Sequence, residues 1–63
     1  MKHLFCFITL TAGMTHLPVY FNTLTIRAIE PTISGSKVYT DVITIDVAES
    51  SQEVYSRINT CKE

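Results

Sequence analysis

One residue in three of this chain is branched at Cβ: nine Thr, seven Ile and five Val among 63 residues, against four Leu. Two heavy atoms on Cβ restrict χ1 and suit a pleated strand better than a helix. Three Tyr and three Phe push the same way. The chain is therefore expected to be mostly sheet, with helix only where the side-chain period changes. Residues 1–63 read as one small domain, and a chain of that size buries only about 60% of the surface its unfolded form exposes. With 46% hydrophobic and 17% charged residues, the chain is too apolar for a disordered tail or linker.

Residues 2–11 place Leu4, Cys6, Ile8 and Leu10 on one parity and Phe5 and Phe7 on the other, which turns polar at Thr9 and Thr11. That pattern predicts a strand over about 2–11, buried on both faces for half its length. The segment also has the form of a secretory leader: Lys2, an apolar stretch over 4–12, then small residues at Ala12 and Gly13. Met14 stands where a lipoprotein signal needs Cys, which excludes lipidation. Removal of residues 1–13 would leave about 50 residues and a lone Cys61, a chain hard to stabilise. The strand is the expectation, and a leader that makes the protein secreted or envelope-directed is the alternative.

Gly13 is expected to take a positive φ in the next turn, and Pro18 to open the strand that follows. That second strand spans about 19–30, with Leu24, Ile26 and Ala28 on one parity and Thr23, Thr25 and Arg27 on the other. Val19 and Phe21 fall out of this register, which calls for a bulge or bend near Asn22. A turn at Ser34-Gly35 leads into a third strand over about 38–47. Symmetry about that turn puts Ile26 opposite Ile43, Leu24 opposite Ile45, Thr25 opposite Thr44 and Arg27 opposite Val42. After Ala48 the period becomes helical. Ser50 and Glu53 form a capping box, and Val54, Ile58 and Cys61 make an apolar stripe, so a helix is predicted over about 50–61. So short a helix needs a docking face, expected to be Leu24, Ile26, Ile43, Ile45 and Val47. The predicted fold is α+β: a three-stranded antiparallel β-meander followed by one C-terminal helix packed on one face.

A net charge of −1 without a basic cluster argues against nucleic acid as partner. No apolar run is long enough for a membrane-spanning helix. His3, Cys6, His16 and Cys61 match no zinc-ligand spacing, and His3 and Cys6 point to opposite faces of a strand. Asp41 and Asp46 lie on opposite parities, and there is no nucleophile elbow or phosphate-binding glycine loop. No enzyme activity, metal, cofactor or small-molecule substrate is expected. Cys6 and Cys61 both fall on inner positions. In a reducing compartment they read as buried thiols; in an oxidising one, as a bridge worth roughly 3–5 kcal/mol. Thr9, Thr11, Thr23, Thr25 and Thr44 are expected to share the outer sheet face as ordinary solvent-facing residues.

That outer face also carries Phe5, Phe7 and Val42. One helix covers one face only, so clustered aromatics on the other call for company. The expected working surface is Phe5, Phe7, Thr25, Arg27 and Val42, or an exposed strand edge. The chain reads as a small non-enzymatic protein-binding module, an inhibitor or accessory factor. Its partner would be another protein or a second copy, and its expected location is the cytoplasm unless residues 1–13 are a leader. Phage-encoded inhibitors of host defence, anti-CRISPR proteins among them, share this size and build; no motif stands behind that analogy.

Overall fold

The computed structural model describes residues 6–60. Within them run strands β1 (Phe7–Thr11), β2 (Pro18–Asn22), β3 (Ile26–Pro31), β4 (Ser36–Thr40) and β5 (Thr44–Val47), then helix α1 (Ser51–Asn59). β3, β4 and β5 form an antiparallel meander, preceded by the β1–β2 hairpin and followed by α1. The fold is α+β, as the composition and periodicity predict. No helix among the described residues is long and apolar enough to cross a membrane.

Two of the predicted strands are each broken in two, and side-chain oxygens explain both breaks. The 19–30 strand is interrupted by a 3-10 turn at Thr23–Thr25. Asn22 caps that turn: its side chain accepts from the Leu24 amide at 3.0 Å, and its carbonyl accepts from the Thr25 hydroxyl at 2.8 Å. The 38–47 strand folds back on itself at Thr40. The Thr40 hydroxyl oxygen accepts from the amides of Val42 (3.3 Å) and Ile43 (3.0 Å) and donates to the Ile43 carbonyl (2.7 Å). Short polar side chains offer the backbone such local alternatives to a ladder. The predicted hairpin register is lost as a result. Ile26 faces Thr40 and Ile29 faces Val38, with a bulge at Arg27, while Ile45 pairs with Val38 from the other side.

The core is Ile8, Leu10, Phe21, Val38, Val47 and Val54. Ile8 and Leu10 occupy the inner parity assigned to them, and Cys6 packs against the same cluster. The helix begins as predicted: the Ser50 hydroxyl accepts from the Glu53 amide at 3.2 Å. It docks on only part of the predicted face, sharing the core with Ile26, Ile45 and Val47. It lies on β1 and β3, with Val54 in the core and Ile58 beside it. Leu24 and Ile43, expected beneath the helix, are 59% and 53% exposed. Cys61 lies outside the described residues. Cys6 is disulfide-bonded rather than a reduced thiol.

The two sheets join at one point. Ala12 bridges to Val47, the Gly13 amide donates to the Asp46 carbonyl (2.9 Å), and the Ala48 amide donates to the Thr11 carbonyl (2.8 Å). The β1-β2 sheet and the β3-β4-β5 sheet thus touch where the end of β1 meets the end of β5. The β1–β2 loop takes its positive φ at His16 (62°), not at Gly13. There the His16 amide closes the turn onto the Ala12 carbonyl at 3.0 Å.

Glu49 fastens the junction from the far side. Its carboxylate, with a side chain only 12% exposed, accepts from the Thr11 amide and the Thr11 hydroxyl, both at 2.9 Å. Arg57 of α1 approaches it at 3.5 Å and donates to the Thr9 carbonyl at 2.6 Å. Desolvation pushes the Glu49 pKa up, but the Thr11 hydrogen bonds, its own backbone amide and the Arg57 charge together outweigh it and hold the group below its ordinary value. A carboxylate with a lowered folded pKa stabilises fully above the ordinary carboxylate range. That contribution is lost as the pH falls through this range to the lowered folded value. Thermal melts across this range should show an acid limb that Glu49→Gln flattens. An unchanged acid limb in the variant would place the acid sensitivity elsewhere.

Candidate protein-binding groove

Alternation along β2 sends Val19 and Phe21 inward and Tyr20 and Asn22 outward. Alternation along β5 sends Ile45 and Val47 inward, and Ile43 continues that parity at the end of the turn. Because α1 covers β1 and β3, none of the described residues closes the core between β2 and the β4–β5 turn. A groove of about 270 Å³ opens there. Its floor is Val19, Phe21 and Ile45, and its rim is Tyr20, Asn22, Thr25, Thr40, Val42 and Ile43. Tyr20 is 69% exposed and Val42 85%.

The predicted site residues are only partly gathered. Thr25 and Val42 meet on the groove rim. Arg27 stands beside them: its guanidinium is paired with Asp41, whose amide donates to the Thr25 carbonyl at 3.1 Å. That pair is too exposed to count for much in stability. Phe7 is exposed on the outer face of β1, opposite Asn22 and diagonal to Tyr20. Phe5 lies outside the described residues. Of the five threonines expected on the outer face, Thr9 and Thr44 are exposed and the other three are engaged in local hydrogen bonds. The Thr11 hydroxyl serves Glu49, the Thr23 hydroxyl accepts from the Cys6 amide, and the Thr25 hydroxyl donates to the Asn22 carbonyl.

Of the groove residues that sequence reasoning missed, Tyr20 and Ile43 are the most exposed. Tyr20 had a signal, as an aromatic with a polar tip between two inward-facing apolar residues. Ile43 had the correct parity, and only the position of α1 leaves it uncovered. A larger cleft of about 550 Å³ lies between the β1–β2 and β3–β4 loops. Its apolar lining is Met14 and Ile33 at two loop tips and the core residue Val47, set among Thr32, Ser34, Lys37 and Asp46, so it is more polar than the smaller groove.

Among the described residues no three His, Cys, Asp or Glu side chains converge on a point. The Tyr39 hydroxyl donates to Glu30 at 2.6 Å, which raises its pKa, but the pair is solvent-exposed and away from the groove. What the groove offers is an apolar floor, an aromatic rim and backbone groups at a strand edge. The chain matches no protein-family model, and no curated protein or solved structure matches it.

Proposed function

We propose that this chain is a small non-enzymatic protein-binding module, an inhibitor or accessory factor that works through the groove beside β2. The carrying observation is the exposure of Tyr20, Val42 and Ile43 around an opening whose floor is the protein's own core. Exposed aromatic and aliphatic side chains around a desolvated pocket are the usual anchors of protein interfaces. A photo-crosslinking residue at position 43 should capture protein partners in the source cell. The same residue at position 52, on the exposed side of α1, should not. Val42→Asp should suppress the position-43 adducts without shifting the melting temperature, because Val42 is 85% exposed. Equal capture at both positions, or adducts indifferent to Val42→Asp, would remove the groove from consideration.

A second reading, export to an oxidising compartment such as the cell envelope with residues 1–13 retained, is favoured by the disulfide at Cys6, which removal of a 1–13 leader would destroy. Disulfides persist in oxidising compartments and are rare where thiol buffers are strong. Thiol trapping in protein from the native host, followed by intact-mass measurement, decides the matter. A blocked Cys6 supports the oxidising compartment, and an alkylated one returns the protein to a reducing environment.

A further inference from the structure

The hydrogen-bonding pattern of β2 says what kind of chain its open edge would take. Bonds at either end of the hairpin, Ala12 amide to Leu17 carbonyl and Thr23 amide to Cys6 carbonyl, set the phase of the β1–β2 ladder. Odd-numbered residues of β2 bond to β1. Pro18, Tyr20 and Asn22 therefore turn their backbone groups outward, along the groove. Among the described residues, the outward amide and carbonyl of Tyr20 and the amide of Asn22 have no partner. Pro18 has no amide hydrogen to offer, and the Asn22 carbonyl is already taken by the Thr25 hydroxyl at 2.8 Å.

This edge is complementary to itself. Let a second β2 lie antiparallel with Tyr20 opposite Tyr20 across a two-fold axis. Each Tyr20 amide then donates to the Tyr20 carbonyl of the other copy. Each Asn22 amide donates to the Pro18 carbonyl of the other copy. The one donor that is missing, on Pro18, falls opposite the one acceptor that is occupied, on Asn22. No backbone group is left wanting, and the arrangement has the residue-to-residue symmetry of an isologous interface.

The other open edges lack this character. β3 carries a bulge at Arg27, an exposed charge and Pro31, three devices that discourage strand addition. β5 is covered at one end by Ala12 and Gly13. β2 reads Pro-Val-Tyr-Phe-Asn, without a charge or a bulge.

We infer that the chain forms a two-fold dimer by pairing β2 with β2 of a second copy, which places the Tyr20 rings side by side and covers Val42 and Ile43. This rests on the groove being a protein-binding site and names its occupant. Sedimentation equilibrium from micromolar to millimolar concentration should show reversible dimerisation of the wild type. Tyr20→Lys should weaken it by about tenfold or more, since like charges would face each other across the axis. Tyr20→Glu should do the same. An equimolar mixture of the two variants should recover the association as a heterodimer, with circular dichroism unchanged throughout. A monomeric wild type, or a mixture that fails to recover, overturns the pairing. If the wild type is monomeric while position 43 still crosslinks to other proteins, the pairing falls and the binding groove stands.

Discussion

Replacing Leu10 with Ala should destabilise the folded protein by about 4 kcal/mol. Leu10 is fully buried among Ile8, Phe21, Val38, Val47 and Val54, at the place where the hairpin, the meander and the helix meet. The cavity left by the truncation has little means of closing. β1 is held to β2 by its ladder and to the β5–α1 connection by Glu49, so neither neighbour can slide inward without breaking hydrogen bonds. A domain of this size has roughly 3–9 kcal/mol of stability in total, so the variant should be close to unfolded at room temperature. Urea denaturation of wild type and variant measures the difference. The result also bears on the leader alternative. A loss below about 1 kcal/mol would mean that β1 is not part of the working core. That is the outcome expected if residues 1–13 are removed before the protein acts.

Gly35→Ala should cost about 3 kcal/mol, although Gly→Ala at a tolerant site usually stabilises by about 0.4–1 kcal/mol. A Cβ on Gly35 would sit 2.1 Å from the Val47 carbonyl oxygen and 2.9 Å from that of Ala48. Both obstacles are backbone, so no rotamer change relieves them. The surroundings are also fixed. The Thr32 amide donates to the Gly35 carbonyl at 3.0 Å, and the fully buried Ser36 donates its hydroxyl to the Glu49 carbonyl at 2.7 Å. Moving the turn outward would strain the Ala12–Val47 junction as well. Gly13→Ala is the control. Its Cβ would meet nothing closer than 3.4 Å, and its stability should stay within about 0.5 kcal/mol of wild type. Equal behaviour of the two variants would mean that the β3–β4 turn does not press on β5.

These two positions show different degrees of legibility. The inward place of Leu10 follows from its parity with Ile8 and could be read directly. Gly35 could be read only as a turn residue. Its real constraint is the close approach of Val47, twelve positions away, and no local pattern announces that. The groove shows the same division. Symmetry about Ser34-Gly35 makes Thr25, Arg27 and Val42 neighbours on a sheet face, by a register that does not exist. Thr25 and Val42 do meet at the groove, with Arg27 beside them through Asp41, but by way of the Asn22 cap, the Arg27 bulge and the turn at Thr40.

Local chemistry specified the strand-rich character, the inner set Ile8 and Leu10, the turn at Ser34-Gly35 and the capped start of the helix. Each depends on a residue and its near neighbours, so a linear reading suffices. Where the helix comes to rest is a different kind of question. A stripe of Val54 and Ile58 can bury itself against any apolar surface of suitable width, and periodicity is blind to which one lies within reach. Packing chose β1 and β3. That choice left Ile43 and Ile45 at an open mouth and put Tyr20 on its rim, creating the candidate groove.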